Sequence, residues 1–466
     1  MKGVFQNMYF VLVLFFIGLS CRQAVTESEK NSREKGFFYP KLKCHLALSP
    51  KQLEQDFTIL ITTLEQAHPG IYRVTSKKEI DRYVNSVRKE IKTGKTYLEF
   101  LRLLAPLFTK IGCINTQWSH SPAFIQFRNN SVPMFPLKLE IKQEKFYVKA
   151  NLSGLAEPAP GSEILEINNE KVTDYLKKNY ELLPVEGNMH EIQQQWLAAY
   201  FAQHHSNFWE QCDTFRLKLK SATNQVFMVN LPALLKKDMK DIPVSGGNRY
   251  PGSINETIFT INFGNKRFNG NEKLFNAFVD SCFNEFQKKQ PENMLIDLGD
   301  SNLENVFFAL KLYSYFDDRP IHIEEEEYRD VSNIKYDQFV KQFPAVDPYA
   351  INRRTMAMNK SFAFSGNLYV CVSAWNQDAA GLFCALLGLR KNTFFIGQEC
   401  NAPYGINTYP LLLELPNSGI TVRIPTVQLT VSKKLKTELG GIKTSCSFDE
   451  FYNYLTIKQN IKIKEQ

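Results

Sequence analysis

Apolar residues follow two different spacings along this chain, and the change between them divides the sequence into blocks. From residue 48 to residue 117 they recur every three or four positions, which is the spacing of helices with one buried face. This pattern predicts a helix that begins after Ser49 and ends at Pro69. Further helices are predicted over Lys77–Ile91 and Tyr97–Phe108.

Strict alternation of apolar and polar residues begins at Leu137–Ile141 and continues in Phe146–Ala150. A period of two is typical of strands with one buried face, and a helix is predicted from Val172. Farther along, aromatic residues recur at helical spacing: Trp196, Tyr200, Phe201, Phe208 and Trp209. Such a stripe is usually part of a core, so we assign these residues to packing.

A turn-rich segment, Val244–Asn248, leads to a block in which helices and short apolar strands follow one another. An amphipathic helix is predicted around Phe275–Phe286 and a buried strand at Met294–Leu298. Leu368–Ser373 predicts another buried strand, and Ala379–Arg390 predicts a buried helix. Buried strands of this kind are typical of α/β sheets.

A polar corner, Trp375–Asp378, joins that last strand to the helix that follows it. The first backbone N–H groups of a helix are unpaired and can bind a developing negative charge, so many hydrolases place a nucleophile at such a corner. Here the corner carries Asp378 instead of a serine or a cysteine.

Composition and charge narrow the classes of function. The chain has 466 residues, of which 44% are hydrophobic, and this length suggests roughly two to four domains. The net charge is +8, but lysine and arginine are spread along the chain without dense basic blocks. We therefore predict a solvated surface, no nucleic-acid partner and no cofactor.

Residues 1–21 form a predicted targeting segment. Lys2 precedes an apolar run, Val4–Ile17, that is short for a membrane span, and small residues lead from it to Cys21. This arrangement resembles a bacterial lipoprotein signal, with Cys21 as the acylated first residue and residues 22–47 as a polar tether. We expect a chain held on a membrane of the cell envelope by lipid; an ordinary cleaved signal peptide is the alternative.

The cysteines and histidines show no spacing typical of a metal site. Of the 9 cysteines, those after Cys21 include no C-x-x-C pair, and the 7 histidines include no H-E-x-x-H motif. Cys371 and Cys384 lie in predicted buried elements, so we expect most cysteines to be small buried thiols.

The corner resembles the nucleophile segment of the tail-specific, or C-terminal processing, serine peptidases. Where that family has text close to Thr-Phe-Ser-Ala-Ala, this chain has Asn376–Ala380, so the resemblance places the family serine at Asp378. Lys110–Gln117 is similar to a second family segment, in which a histidine acts as the base and this chain has Asn115. An amide cannot accept a proton at neutral pH, so the general-base role is absent at this position.

Two histidines lie near these motifs. His68 lies in a phrase similar to the family's Ala-His-Pro-Gly-Leu-Tyr, and we predict a structural role for it at the end of the first helix. His120 is the nearest substitute for the missing base, and its polar surroundings in the sequence favour a surface histidine.

After Leu298 the family has a glycine-rich loop whose N–H groups form an oxyanion hole, whereas this chain has Gly299, Asp300 and then Ser301–Glu304. Loss of one oxyanion donor costs an enzyme roughly a hundred- to a thousand-fold in rate. Asp300 and Glu304 are expected to oppose the charge that develops there. Farther on, either Gln398 or Glu399 takes the place of the family's supporting acid, and the sequence leaves this open.

Pro160–Asn168 resembles the signature of PDZ modules, which bind extended peptides by adding a strand to a sheet edge. The resemblance makes Gly161, Ile164 and Leu165 candidate binding residues. A plain β-hairpin joined to the following domain is the alternative interpretation.

These patterns and resemblances imply a multidomain fold of mixed α+β and α/β type. After the signal segment and tether, a helical domain is predicted at residues 48–132 and a PDZ-like, β-rich module at 133–243. Residues 250–466 are predicted to form a peptidase-type α/β domain, similar to tail-specific proteases and to the ClpP/crotonase architecture.

The leading hypothesis is a peptidase scaffold without activity that binds a peptide or an unfolded protein segment. It rests on the missing serine at Asp378, the missing histidine at Asn115 and the missing glycine-rich loop. Asp378 is then explained as a helix N-cap, because aspartate caps helices well and suits the positive end of the helix dipole. The alternative is an active hydrolase with relocated residues, such as Ser373, Asp378 and Glu399, or with paired carboxylates.

Overall fold

The computed structural model describes residues 47–185, 189–239, 258–264, 266–317, 324–343, 364–400, 405–430 and 442–454. The predicted signal segment with Cys21, nearly all of the tether and the linker Val244–Asn248 lie outside the described residues. Within the described part of the chain, no helix is both long enough and apolar enough to span a membrane.

Helices and strands are distributed over all the described ranges. The helices are α1 (Pro50–Ala67), α2 (Lys77–Glu90), α3 (Tyr97–Ile111), α4 (Pro122–Ser131), α5 (Val172–Tyr180), α6 (His190–Phe208), α7 (Glu272–Lys289), α8 (Val306–Tyr313) and α9 (Asp378–Leu387). Short 3-10 turns cover Lys236–Asp238 and Asp337–Phe339.

The strands fall into four sheets. In chain order they are β1 (Gln117–Ser119), β2 (Leu137–Lys142), β3 (Lys145–Asn151), β4 (Glu163–Ile167), β5 (Glu170–Lys171), β6 (Thr214–Lys220), β7 (Val226–Pro232), β8 (Ile258–Asn262), β9 (Asn293–Asp297), β10 (Glu324–Tyr328), β11 (Val340–Gln342), β12 (Asn367–Val372), β13 (Thr393–Gly397), β14 (Gly405–Thr408), β15 (Leu411–Glu414), β16 (Thr421–Ile424) and β17 (Val427–Thr430). The strand orders are β1-β16-β15-β11, β10-β17-β14, β13-β12-β9-β8 and β2-β3-β4-β6-β7, with β5 paired to β4.

Capping residues set the starts of the first three helices. Ser49, Ser76 and Thr96 each accept a hydrogen bond from the third residue of their helix, whose Gln or Glu side chain bonds back to the cap. This capping box satisfies two of the N–H groups that a helix start leaves unpaired. Helix α3 ends at Gly112 with φ 62°, where a Cβ atom would lie only 2.7 Å from Val74. The predicted helices of the first block are therefore present in the structure.

The N-terminal helices share one hydrophobic core with strands from the far end of the chain. Leu53, Phe57 and Phe100 from the helices are fully buried in the same cluster as Leu411 of β15 and Val422 of β16. The helical block therefore shares its core with β15 and β16.

The strands β2, β3, β4, β6 and β7 form an antiparallel sheet that α5 and α6 cover on one face. Alternate residues such as Leu137 and Leu139 enter its core, as the period-two pattern predicts. Gln143 and Glu144 join β2 to β3 with φ values of 49° and 61°, which is the left-handed geometry of a tight two-residue hairpin turn. Strand β2 is one edge of this sheet.

Helix α6 changes direction at Tyr200, whose φ of −116° and ψ of 21° are not helical. Beyond the kink Phe201 is buried and Trp209 stacks on Tyr175 with ring centroids 4.2 Å apart, as the assignment to packing predicted. Tyr200 itself is 54% exposed, so for this residue the assignment to packing was wrong. The kink turns its ring out of the packed face.

The third block is built on the parallel sheet β13-β12-β9-β8. Met294–Ile296 and Val370–Val372 are fully buried, because helices and loops cover both faces of the sheet. Phe275, Val279 and Phe283 of α7 pack against it, and α9 follows directly from β12. The predicted strands and helices around the corner are thus present.

The four described cysteines that are fully buried, Cys113, Cys371, Cys384 and Cys400, are free thiols.

The first testable expectation concerns the buried carboxylate of Asp56 on α1. It accepts hydrogen bonds from the backbone N–H groups of Asn417 and Ser418, at 3.0 and 2.8 Å, and so joins α1 to the turn between β15 and β16. Asp56→Ala leaves these donors unpaired, and we expect it to lower the free energy of unfolding by about 2–3 kcal/mol. Urea unfolding followed by circular dichroism measures this loss.

Asp81→Ala is the matched control, because Asp81 pairs with Lys77 on the exposed face of α2. Its loss is expected to cost less than about 1 kcal/mol. Equal losses for the two variants would contradict the role assigned to Asp56.

Candidate functional site

The corner between β12 and α9 holds Asp378 in an unusual backbone conformation. Asp378 is the first residue of α9, and its φ of 53° lies in the left-handed region that few non-glycine residues adopt. A residue held this way at a strand-to-helix corner projects its side chain outward, as in the nucleophile elbows of hydrolases. The backbone geometry thus suits a functional side chain.

The N-cap of α9 is Gln377, and its side chain makes no capping hydrogen bond. The prediction that Asp378 caps the helix was therefore wrong. A cap residue must precede the helix in an extended conformation, whereas Asp378 lies inside it with positive φ. Its carboxyl group is turned toward another part of the chain.

That other part contains Asn115, just after α3, and Arg423 in β16. The side chain of Asn115 lies beside the carboxyl group of Asp378 and acts to lower the pKa of that carboxyl. Arg423 Nη1 donates to Asn115 Oδ1 at 3.4 Å, which leaves the amide N–H free to point at the carboxylate. The structure thus brings together the two positions where the resemblance placed a base and a nucleophile, and it adds a guanidinium.

Burial raises the pKa of Asp378 above its ordinary value of 3.8. The positive charge of Arg423 and the side chain of Asn115 both lower that pKa, but burial outweighs them. Perturbed carboxyl groups of this kind cluster at functional sites, and here the geometry of the corner points the same way.

Arg423 was missed by sequence reasoning. It stands between the buried residues Val422 and Ile424, and its register partner across the sheet is Gln117 of β1. Alternation along Ile420–Ile424 indicated only that Arg423 faces away from the apolar core. The β1–β16 pairing, which places it beside Asn115, joins residues about 300 positions apart and leaves no local pattern.

The loop that follows β9 fixes the turn that precedes Asp378. Ser373 Oγ lies 2.9 Å from both the carbonyl oxygen of Gly299 and Asp300 Oδ1, and these two acceptors share its one donor proton. The Asn376 amide donates to the carbonyls of Gly299 and Ser301, at 3.1 and 2.8 Å. Gly299 has φ 53° and approaches Gly264 so closely that a Cβ atom would lie 2.6 Å from the Cα of Gly264. Two backbones therefore meet here without room for a side chain.

This loop also occupies N–H groups at the start of α9. The N–H of Gln377 donates to Asn302 Oδ1 at 2.9 Å, and the N–H of Ala380 donates to the Asn302 carbonyl at 3.1 Å. Helix-start N–H groups that would otherwise bind an anion are bonded within the protein.

Glu304 does not face the corner. Its carboxylate accepts hydrogen bonds from the N–H groups of Phe268, at 2.5 Å, and Gly270, at 2.8 Å. The expectation that Glu304 opposes charge at the oxyanion position was therefore wrong, since its charge stabilises a neighbouring loop. Asp300 does lie beside the corner, as the hydrogen bond from Ser373 shows.

Ser373 is completely buried, and its hydroxyl donates within the protein. A serine nucleophile needs an exposed hydroxyl with a base beside it. The geometry gives Ser373 the role of holding the corner turn, so the set of Ser373, Asp378 and Glu399 is not arranged for nucleophilic attack.

Both histidines named above are buried. His68 Nε2 lies 2.7 Å from Thr116 Oγ1, and burial, with the charge of Arg73, lowers the pKa of His68 to about 3. His120 bonds to the Tyr97 hydroxyl at 2.9 Å and to Asn207 Oδ1 at 3.1 Å, and burial lowers its pKa to about 3. The prediction of a surface histidine at His120 was wrong, because α3 and α6 enclose it.

A cleft of about 840 Å³ lies beside the corner. The β2–β3 hairpin, the first half of α6 and the ends of β12 and β13 surround it. Its lining combines apolar residues such as Ile141, Val148 and Pro160 with nine polar or charged ones: Glu140, Lys142, Gln143, Lys149, Glu191, Gln194, Gln195, Gln398 and Glu399. Gln398 and Glu399 both reach it, so the structure leaves open which of them matches the family acid. Gly161 lines the cleft, whereas Ile164 is buried in the core of the β-rich sheet and Leu165 is half-buried.

Among the described residues, no group of three His, Cys, Asp or Glu side chains is placed to hold a metal ion. The side chains that meet at the corner are a carboxylate, an amide and a guanidinium. They can bind polar or charged groups by hydrogen bonding.

The parallel sheet with its strained corner, beside an antiparallel sheet, defines a mixed α+β architecture. Mature CPAF has a similar structure, with a TM-score of 0.59 and 10% sequence identity over 87% of this chain and 96% of that chain. Mature CPAF complexed with lactacystin gives a TM-score of 0.57 and 11% identity over 89% of this chain and 98% of that chain. A weaker similarity, with a TM-score of 0.38 and 11% identity over 85% and 92% of the two chains, is to the photosystem II D1 C-terminal processing protease.

The resemblance to tail-specific peptidases is thus supported at the level of the fold. No protein-family model matches the sequence, and no curated protein is similar to it in sequence. At identities near 10% the likeness to CPAF concerns the fold, and the chemistry depends on the residues of this chain.

The second testable expectation follows from the raised pKa of Asp378. A carboxyl whose pKa is higher in the folded than in the unfolded state stabilises the fold below its unfolded pKa, and that stabilisation is lost as the pH rises through the folded pKa. Asp378→Asn removes this dependence. The stability of the variant relative to wild type is therefore expected to rise with pH above about 4.

Urea unfolding of both proteins from about pH 4 to pH 7 measures the difference. A difference that stays constant or falls over this range would show that the pKa of Asp378 is not raised. Asp449→Asn is the control, because Asp449 is an exposed carboxyl outside the corner.

Proposed function

We propose that this protein is a catalytically inactive scaffold of peptidase fold that holds an extended polypeptide segment in the cleft beside β2. We further propose that it is an exported lipoprotein, anchored through Cys21. The observation that carries the proposal is the corner itself. There the carboxyl group of Asp378, beside Asn115 and Arg423, stands where a peptidase needs a nucleophile and a base.

Neither residue can perform the step that its position would require. A carboxylate that attacks a peptide gives an anhydride, and Asn115 cannot take up a proton at neutral pH. Arg423 donates to Asn115, and its guanidinium has donor groups but no acceptor, so it cannot serve as the base. The buried His68 and His120 bond to Thr116 and to Tyr97 and Asn207, which leaves no histidine among the described residues in contact with Asp378.

The sheet edge at β2 supports binding of an extended segment. In the tight hairpin, Lys142 pairs with Lys145, and such a flanking pair exchanges hydrogen bonds between its strands. Along an antiparallel pair of strands, hydrogen-bonded and non-hydrogen-bonded residue pairs alternate. Leu139 and Ile141 belong to non-hydrogen-bonded pairs, so their backbone N–H and C=O groups point away from β3. These groups can pair with an added strand.

Helix α6 packs beside this edge and forms the second wall of the cleft. Glu191 and Gln195 project from it toward the hairpin, while Ala374 and Gln398 close the end near the corner. A segment added to β2 would therefore run between a sheet edge and a helix and pass close to Asp378. Polar lining suits a bound backbone, whose amide groups need hydrogen-bond partners.

The third testable expectation is binding without cleavage. Fluorescein-labelled unfolded casein peptides should raise their anisotropy on addition of the purified protein and be recovered intact by mass spectrometry. Asp378→Ser should remain inactive, because a serine without a base stays a protonated alcohol. Asp378→Ser with Asn115→His should also stay near background until residues 299–304 are rebuilt with glycines, since the catalytic groups act as a unit.

Asp378→Asn, purified in parallel, controls for a contaminating peptidase, because it keeps the shape of the side chain and removes the carboxylate. Cleavage by wild type that is absent from Asp378→Asn would overturn the inactive scaffold and establish the active hydrolase. Strong cleavage by Asp378→Ser alone would reveal a base and an oxyanion hole at the corner.

The fourth expectation concerns the anchor. Cells that express the full chain and are fed an alkyne fatty acid should label the wild type and not Cys21→Ala. Cys212→Ala is the matched control, because Cys212 lies in the folded part of the chain and is only half-buried. Equal labelling of wild type and Cys21→Ala, or labelling of neither, would refute the lipid anchor.

A further inference from the structure

Three aromatic residues form a wall next to the corner: Trp196 and Tyr200 on α6 and Trp375 in the corner turn. The rings of Trp196 and Trp375 are nearly parallel, with centroids 6.0 Å apart and 13° between their planes. Tyr200 meets Trp375 edge-on, at 5.9 Å and 88°. These contacts join α6 to the turn that carries Asp378.

Along the chain, this wall adjoins residues that line the cleft. Gln194 and Gln195, which line the cleft, directly precede Trp196, and the lining residue Ala374 directly precedes Trp375. Beneath the wall, Ile114, Ile192 and Ala374 form a small buried cluster against which Trp196 packs. The aromatic rings are therefore supported from below by the residue that adjoins Asn115.

The wall has features that packing alone leaves unexplained. Tyr200 is 54% exposed although it is large and aromatic, and it occupies the one non-helical position within α6. The Trp196 Nε1–H group is buried and has no hydrogen-bond partner among the described residues. A buried donor without an acceptor is costly, and such exceptions in folded proteins call for an explanation.

We propose that Trp196, Tyr200 and Trp375 form a specificity site for one aromatic side chain of the polypeptide that lies in the cleft. This inference rests on the proposed function. Tyr200 is exposed, and Trp196 and Trp375 are half-buried. Tryptophan and tyrosine rings with rigid support dominate binding energy at protein surfaces. The three rings together offer an apolar surface on which an aromatic side chain can leave water.

An aromatic side chain fits the geometry of the wall. The exposed edge of Tyr200 stands perpendicular to Trp375, so a further ring can meet one of them edge-to-face and the other face-to-face. A strand added to β2 alternates its side chains, and every second one points to the same side. A single anchoring ring would therefore set the register of the bound segment relative to Asp378.

The test uses two sets of fluorescein-labelled decapeptides made of serine, threonine and lysine. In one set a single phenylalanine moves through the positions, and in the other set alanine takes its place. For the full-length wild type, we expect at least one phenylalanine peptide to bind about tenfold more tightly than its alanine counterpart. In Tyr200→Ala and in Trp375→Ala, the ratio of these two affinities should fall toward one.

Tyr454→Ala is the control, since Tyr454 is 50% exposed and is not part of the aromatic wall. Its preference should equal that of wild type. Binding should also change the tryptophan fluorescence of wild type, and Trp375→Phe should reduce this change while it keeps a ring in the wall. Melting temperatures show whether each variant is folded.

The outcomes separate the two proposals. Peptides that bind equally well with and without phenylalanine, or a preference that survives both Tyr200→Ala and Trp375→Ala, would overturn the specificity site and leave the scaffold intact. Absence of binding by every peptide in both sets would overturn the proposed function and this inference with it.

Discussion

The candidate site depends on a short, partly buried series of polar contacts that runs from Arg423 through Asn115 to Asp378. Each residue comes from a different part of the fold: a strand near the C-terminus, the end of the N-terminal helices and the corner of the parallel sheet. A buried carboxylate is costly unless charge and hydrogen bonds compensate it. The amide and the guanidinium compensate part of that cost, at a strained backbone position where a hydrolase would carry its nucleophile.

The same corner connects to the β-rich module through the first half of α6. Ile192 packs on Ile114 and Ala374, and Trp196 stacks on Trp375, so the helix that borders the cleft also borders the corner. At the C-terminal end of α6, Arg102 of α3 donates to the carbonyls of Asn207 and Trp209, at 2.9 and 3.1 Å. Both ends of α6 are thus fastened, and the bend at Tyr200 lies between them. A ligand along β2 would therefore contact an element whose position the corner and the N-terminal helices determine.

Local patterns predicted the elements well and the site only in part. Periodicity located the helices and strands because each buries a regular face, and the resemblance placed Asn115 and Asp378 in one site. Arg423 was missed because only strand pairing brings it there. His120 was misjudged because Tyr97 and Asn207, which enclose it, are distant in sequence. The cap assigned to Asp378 failed because sequence does not reveal a positive φ, and Glu304 was misplaced because its partners, Phe268 and Gly270, belong to another loop.

Hydrogen exchange of the backbone amides, with and without a bound unfolded peptide, tests the central claim most directly. Strand addition would protect outward-facing amides of β2, at Leu139 and Ile141, and the hairpin 137–151 would slow its exchange while the peptide mass stays unchanged. The opposite edge of the sheet, β7, provides an internal reference and should be unaffected. Protection at β7 instead of β2, or peptide fragments in the recovered sample, would contradict a scaffold that holds its ligand in the cleft without cutting it.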